Sequence, residues 1–369
     1  MTETTTAAVA TAEVLSEVRG QVGFITLNRP RALNALSLGM VRALMQTLLA
    51  WQHDERIAAV AIRGSNKEGP FGAFCAGGDI RFLHQAGSQG DPRLEDFFTE
   101  EYALNHLIHH YGKPYIAFMD GIVMGGGMGI SQGASLRIVT ERTKMAMPET
   151  AIGLFPDVGG GYFLSRCPGY AGEWLGLTGD TIGAGEAVAL GLADGCMPSD
   201  QQAAVWEALG SGSFVDGKAV ENLIATKFIA KEALDTAVVA EIDQCFSLGS
   251  VQAIISALEA AGSEWARAAA ATLRKRSPLM LHVVLEQIRR ARGMDLAADL
   301  RMERDMVRHC FYLRPGQSET VEGIRALAVD KDHAPRWNPA RIEDVTPEMV
   351  APFFDSPWPA HAHPLAVLA

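Results

Sequence analysis

Two glycine-rich loops, each placed where an apolar β-like run hands over to a helical one, constrain this chain more than any other feature. The first reads Ala73-Phe74-Cys75-Ala76-Gly77-Gly78-Asp79-Ile80 and follows a short apolar run at 58–63. The second reads Gly121-Ile122-Val123-Met124-Gly125-Gly126-Gly127-Met128-Gly129 and follows another at 114–119. Glycine carries no Cβ, so its backbone N–H can turn toward a cavity. At a helix N-terminus the free N–H groups and the helix dipole favour negative charge. Two such loops facing one cavity would offer one N–H each to a developing oxyanion, a contribution of about 3–4 kcal/mol per donor. The competing reading of either loop alone is a tight turn with close helix–strand packing. The second loop is not G-x-G-x-x-G, and no Walker lysine follows it, so a dinucleotide or nucleoside-triphosphate site has poor support.

The rest of the first half repeats this alternation. Residues 13–28 read as a hairpin turning at Gly20, with Val22, Phe24, Ile25 and Leu27 apolar. A helix capped near Ser37 follows, with Met40, Val41, Leu44, Leu48 and Trp51 at helical spacing. A longer helix is predicted over 92–111 and a third strand over 136–140. Strands alternating with helices predict an α/β fold built from ββα-type turns. Beyond about residue 200 the strand signal fades, and the windows 217–246, 250–275, 278–292, 294–312 and 318–329 read as helical. The expected organisation is a flexible tail at 1–12, an α/β core at 13–200, a helical region at 201–355 and a C-terminal tail at 356–369.

Composition narrows the function classes. The net charge of −11 argues against a nucleic-acid surface, which needs clustered Lys and Arg. No apolar run is long enough to span a membrane. The five cysteines, at 75, 167, 196, 245 and 310, are odd in number and form no C-x-x-C pair, so neither a disulfide framework nor a metal site is expected. The opening MTETTTAAVATAEV carries acid and no Arg, which fits neither a secretory nor a transit peptide. These features predict a cytoplasmic protein.

Glu149 and Asp157 lie eight residues apart in the apolar, Gly/Pro-punctuated segment Met147-Pro148-Glu149 to Gly159-Gly160-Gly161. Buried charges need partners or a chemical role, and burial would raise their pKa values toward the range useful for acid–base work. The competing reading makes Asp157 a helix cap and Glu149 half of a salt bridge. His106, His109 and His110 have i, i+4 spacing, but no third ligand is evident, and no metal site is expected. Glu100 and Glu101 read as an exposed helix face. Arg274, Lys275, Arg276, Arg289, Arg290 and Arg292 read as a solvated helix face, with contact to a cofactor phosphate as the minority reading.

Taken together these motifs resemble the crotonase, or enoyl-CoA hydratase/isomerase, superfamily. The carrying residues are Leu27-Asn28-Arg29-Pro30 with Leu33-Asn34-Ala35-Leu36, then Cys75-Ala76-Gly77-Gly78-Asp79-Ile80, the loop at 124–129, and Pro148-Glu149. The resemblance implies a crotonase-like spiral of ββα units, an acyl-CoA substrate, and an oxyanion hole whose N–H groups come from Gly78 and Gly126. By motif position it implies CoA contacts at Arg29, Arg31, Leu33, Ala76 and Gly78. Arg31 stands where the hydratases often carry Lys. The segment from Phe155-Pro156-Asp157 through Gly161 to Leu164 is similar to the superfamily's hydrolase branch. So are Glu100-Glu101-Tyr102 and, in the helical region, Arg276-Ser277-Pro278, Glu303-Arg304, Glu322-Gly323-Ile324-Arg325-Ala326 and Asp330-Lys331-Asp332. That similarity covers roughly residues 13–355. It implies Glu101, Gly126, Glu149 and Asp157 as substrate contacts and 3-hydroxyisobutyryl-CoA, in valine breakdown, as substrate. 3-Hydroxypropionyl-CoA differs from it by one methyl.

One departure bears on the reaction. The hydratases add water with two glutamates. The second matches Glu149, while the first falls at Gly129, which has no carboxyl group. The implied mechanism holds the thioester oxygen between the Gly78 and Gly126 N–H groups. Glu149 acts as general base or as nucleophile, Asp157 reads the 3-hydroxyl, and Glu101 completes the polar end. The rival readings are an enoyl-CoA hydratase or isomerase and a non-catalytic acyl-CoA-binding protein, since fold alone does not fix function. The expected partner is the small-molecule acyl-CoA, with no separate cofactor, nucleic acid or membrane. Trimers and hexamers are common in the superfamily, so a homo-oligomer is an open expectation.

Overall fold

The computed structural model describes residues 12–230 and 234–368. The tail expected at 1–12 lies, apart from Ala12, outside those residues. Strands β1 (Val14–Arg19) and β2 (Val22–Leu27) form the hairpin, turning at Gly20 with φ +57°. Helix α1 (Leu38–Gln52) starts at Ser37, whose hydroxyl accepts from the Met40 N–H at 3.1 Å. Then come β3 (Ala59–Asn66), the short β4 (Gly69–Pro70), α2 (Ile80–Gln89), α3 (Arg93–His109), β5 (Tyr115–Met119), β6 (Ile122–Met124), α4 (Gly126–Gln132), β7 (Leu136–Val139) and β8 (Lys144–Ala146). Helices α5 (Gly160–Leu164), α6 (Ala171–Thr178) and α7 (Ala184–Ala189) lead to the last described strand, β9 (Gly195–Cys196).

The main sheet runs β1-β2-β3-β5-β7-β9, with β4 paired to β3. Only the β1–β2 and β3–β4 pairings are antiparallel. A strand with parallel neighbours and both faces covered should be apolar throughout, with residues alternating between two cores. That alternation is present. Ile25, Leu27, Val60, Ile62, Ala117 and Met119 enter the larger core, while Val22, Phe24, Ala59, Ala61, Ile116 and Phe118 enter the smaller one. Helices α8 (Gln202–Ser211) and α9 (Gly217–Ala225) close the smaller core with Val205, Trp206, Leu209, Val220 and Ile224. A second, two-stranded parallel sheet pairs β6 with β8. The mixed α/β organisation expected from the alternation is thus the one observed.

The helical region divides more finely than its periodicity suggests. The window 217–246 contains α9 and α10 (Thr236–Phe246), and residues 231–233 between them lie outside those described. The window 250–275 is two helices, α11 (Val251–Ala261) and α12 (Glu264–Leu273), because Gly262 ends the first in the left-handed region at φ +76°. Helices α13 (Pro278–Ala291), α14 (Leu296–Tyr312) and α15 (Glu319–Ile324) follow, and α15 continues as a wide turn, Arg325–Val329. The segment expected as a C-terminal tail, 356–369, is instead folded over its described part. Leu365 is buried, His363 approaches Asp305 at 3.3 Å, and Trp358 lies over the Arg304 and Arg308 guanidinium groups. His363 and the Trp358 ring find partners on α14, which a composition-based reading could not see.

Candidate active site

The first glycine-rich loop lies beside the segment 33–36. Leu36 N–H donates to Gly77 O at 2.8 Å, Leu36 O accepts from Asp79 N–H at 3.0 Å, and Leu36 forms a parallel bridge with Gly78. In a parallel bridge of this kind the central residue's partners are its neighbours, so the Gly78 N–H faces the opposite side. On that side lies Gly126, the first residue of α4, whose N–H has no partner within its helix. A Cβ added at Gly126 would stand 3.4 Å from the Gly78 nitrogen and 2.6 Å from Glu101 Oε1. The two glycine N–H groups and a carboxylate therefore share one small space.

That space belongs to a cavity of about 250 Å³. Its lining includes Ala76, Gly78, Gly126, Glu101, Glu149 and Asp157. Its apolar wall comes from Ile80 and Leu83 of α2, Phe97 and Phe98 of α3, Leu154, and Leu327 of the wide turn after α15. Of the sequence-predicted site residues, these six meet in the cavity. Arg29, Arg31 and Leu33 do not line it. Arg29 is committed to structure, with one nitrogen 2.7 Å from Asp79 Oδ2 and another donating to Ala35 O at 2.9 Å. Arg31 is exposed, and Leu33, 43% exposed in the left-handed region, accepts the Ala76 N–H through its carbonyl.

The three carboxylates arrive on three elements. Glu101 projects from α3, and its neighbour Glu100 lies one helical step round the axis, where it forms a two-pronged ion pair with Arg42 at 2.6 and 2.7 Å. The expected exposed acidic face is thus correct for Glu100 and wrong for Glu101, which is buried. Glu149 opens the single 3-10 turn Glu149–Ile152, which is pinned by Thr320 Oγ1 donating to Gly153 O and by Ser277 N–H donating to Thr150 O. Asp157 lies on the loop into α5 and accepts from Tyr102 Oη at 2.9 Å. Tyr102 is the site residue that sequence reasoning left without a role. Its signal was only its place beside Glu101.

Neither Glu149 nor Asp157 meets a cation, so the salt-bridge alternative for Glu149 fails among the described residues. The Asp157 side chain does not cap α5 either: the Gly161 and Tyr162 N–H groups are taken by Glu303 and Asp299 of α14, and the Gly160 N–H donates to the Asp157 backbone carbonyl. Glu101 Oε1 and Glu149 Oε2 are buried without a hydrogen-bond partner. Burial first, and then the neighbouring carboxylates, push Glu101 and Glu149 well above the usual carboxylate range. Burial pushes Asp157 up to about 6, with the Tyr102 hydroxyl opposing the rise. Like charges crowded out of water favour keeping a proton among them.

Gly129 lies on α4 beyond this cluster. A Cβ there would meet Val158 Cβ at 2.6 Å and Asn105 Nδ2 at 3.0 Å. No side chain of any kind fits at that position without rearrangement. The five arginines among the basic residues singled out in the helical region are engaged elsewhere. Arg274 pairs with Glu259, Arg290 with Glu286 and Arg292 with Glu173, while Arg276 and Arg289 donate to backbone carbonyls. The His106 and His110 rings lie 4.2 Å apart, tilted by 32°, and neither lines the cavity.

Comparison with known proteins matches the family model described as enoyl-CoA hydratase/isomerase over residues 22–354. Among curated proteins, the chain is 39% identical over 355 residues to a protein of Xenopus tropicalis named "3-hydroxyisobutyryl-CoA hydrolase, mitochondrial", covering 93% of this chain and 89% of that one. It is 39% identical over 357 residues to "3-hydroxyisobutyryl-CoA hydrolase 1" of Arabidopsis thaliana, covering 93% and 91%. Among solved structures, one titled as a carnitinyl-CoA dehydratase from Mycobacterium thermoresistibile superposes with a TM-score of 0.87 at 37% identity, covering 95% of this chain and 98% of that one. One titled as an enoyl-CoA hydratase from Rhodobacter sphaeroides superposes at 0.83, also with 37% identity, covering 94% and 98%.

Proposed function

The chain belongs to the enoyl-CoA hydratase/isomerase family, and on that premise we propose that it hydrolyses the thioester of 3-hydroxyisobutyryl-CoA to the hydroxy acid and free CoA. Curated relatives from animals and a plant carry that activity in their names, and the chain spans about nine-tenths of their length. The observation that carries the reading is the meeting of Glu149 with the Gly78 and Gly126 N–H groups. Glu149 Oε1 lies 2.8 Å from where a Gly125 Cβ would stand, one residue from the Gly126 donor.

The thioester oxygen takes the place between the two N–H groups, where its growing negative charge is stabilised. Glu149 then acts at the carbonyl carbon. As general base it removes a proton from water, whose oxygen forms the new C–O bond while the C–S bond breaks. As nucleophile it forms a mixed anhydride that water opens. In either route CoA leaves as the thiol and the carboxylic acid remains, so water is the only co-substrate. Asp157, held by Tyr102, accepts the 3-hydroxyl of the substrate, and Glu101 closes the polar end.

The two solved structures are titled as a dehydratase and a hydratase. The packing of Val158 and Asn105 against Gly129 speaks against a second acid there in this chain. The discriminating experiment supplies both 3-hydroxyisobutyryl-CoA and crotonyl-CoA. Thiol release from the first, lost by at least about 100-fold in Glu149→Gln, supports hydrolysis. Loss of the enoyl absorption of crotonyl-CoA without thiol release would overturn it.

Action in valine breakdown follows from that substrate as part of the same proposal. 3-Hydroxypropionyl-CoA is a second candidate, since one methyl in a pocket decides only about 1–3 kcal/mol. The comparisons give the cytoplasmic expectation no support, because the vertebrate relatives are named mitochondrial. The five free, buried cysteines fit any reducing compartment.

A further inference from the structure

The loop that carries Asp157 is held by side chains of the helical region. Glu303, on α14, accepts the Gly159 N–H on Oε2 at 2.7 Å and the Gly161 N–H on Oε1 at 2.9 Å. Asp299, one turn earlier, accepts the Tyr162 N–H at 2.9 Å. Gln287 of α13 donates to Pro156 O at 2.7 Å and to Glu303 Oε1 at 3.1 Å. Backbone groups at 156, 159, 161 and 162, on both sides of Asp157, are therefore all bound by buried polar side chains of the helical region.

This binding has work to do. Val158, a β-branched residue, stands in the left-handed region at φ +58°, and Gly159 follows at φ +86°. An L-residue there is strained and persists only where its surroundings over-determine it. Glu303 is fully buried and, among the described residues, not paired with a cation, which is costly unless its oxygens are occupied. They are occupied by the N–H groups of the strained turn. Burial pushes Asp299 up to about 6 and pushes the neighbouring Glu303 well above the usual carboxylate range. The adjacent Arg304 reaches the other way, to Thr99 Oγ1 at 3.0 Å and Glu95 Oε2 at 2.5 Å on α3, the helix of Glu101 and Tyr102. One turn of α14 thus grips both elements that bring Tyr102 to Asp157.

The geometry points to Glu303 as a positioning residue for Asp157. By clamping the Gly159 and Gly161 N–H groups it sets where the Asp157 carboxylate meets the Tyr102 hydroxyl, and through it the substrate's 3-hydroxyl. This rests on the hydroxyl-reading role given to Asp157 above. The prediction is about selectivity rather than gross activity. Replacing Glu303 should loosen discrimination between a hydroxylated and a plain acyl-CoA.

The test compares kcat/KM for 3-hydroxyisobutyryl-CoA and isobutyryl-CoA in Glu303→Gln, Asp157→Asn and the double variant, with Glu303→Asp as the variant that keeps the carboxyl group should Glu303→Gln not fold. The expected result is a fall of about tenfold or more in the ratio for Glu303→Gln, with no further fall in the double variant. Glu303→Asp should recover part of the ratio. An unchanged ratio in a folded Glu303 variant, or losses that multiply in the double variant, would overturn the proposal. If Asp157→Asn leaves the ratio unchanged, the hydroxyl-reading role of Asp157 has failed instead. The Asp157 carboxyl titration by carbon NMR then decides for Glu303: displaced in the Glu303 variant it supports positioning, and undisplaced it overturns it.

Discussion

Tyr102 Oη donates to Asp157 Oδ2 at 2.9 Å inside the protein, with the tyrosine ring and the carboxylate both buried. The contact joins α3 to the loop before α5 and sets the electrostatics of the site. The phenol stabilises the charged form of Asp157 and so opposes the effect of burial.

Removing that hydroxyl should therefore raise the Asp157 pKa above its value of about 6. In Tyr102→Phe, the preference for hydroxylated substrate should develop at a more alkaline pH, and global stability should fall by about 1–2 kcal/mol. The pH profile of kcat/KM for 3-hydroxyisobutyryl-CoA is the measurement. A profile superposable on that of the parent would contradict the role of Tyr102.

Asp157 has a folded pKa of about 6 against an ordinary value of 3.8, so its charged form is disfavoured in the folded state. The destabilisation begins as pH rises above 3.8 and is complete above about 6. Asp157→Asn should therefore stabilise the protein by roughly 1–3 kcal/mol at pH 8, with the gain gone near pH 4. Urea unfolding at the two pH values tests this. A gain of equal size at both would show that titration is not its source.

Gly126→Ala places a methyl 2.6 Å from Glu101 Oε1 and 3.4 Å from the Gly78 nitrogen, within the space assigned to the thioester oxygen. The Glu101 side chain can yield, so the fold should survive. Thiol release should drop about 100-fold or more. Turnover within threefold of the parent would move the oxyanion site elsewhere.

Gly129→Glu restores the carboxylate that the hydratases carry at the matching position. It should not create hydration activity toward crotonyl-CoA, because its Cβ collides with Val158. A loss of stability of at least about 1–3 kcal/mol is expected from overpacking. Thermal melting and the enoyl absorbance check both halves of this statement.

Much of the fold was legible because it rests on short-range rules. Ser37 at the head of an apolar repeat starts α1, and the glycine-rich loops fall where strands give way to helices. Gly262 could have divided α11 from α12, but the apolar periodicity runs through it. The site was legible in parts. Glu149 and Asp157 stood out as acids in an apolar segment, while Glu101 read as surface beside Glu100. Sequence cannot say which of two adjacent helical acids turns inward, since that depends on what packs against the helix.

By itself, the sequence determined the alternation of strands and helices, the two loops able to present N–H groups, and the absence of a second acid at Gly129. These are local properties, set by missing Cβ atoms, hydrophobic period and chain order. Only the tertiary structure decided that Glu101 and Tyr102 of α3 face Asp157, that Arg29 serves Asp79 and Ala35, and that Glu303 clamps the Asp157 loop. Those pairings join segments far apart in the chain. They arise because burial leaves each polar group only the partners that packing brings within hydrogen-bonding distance.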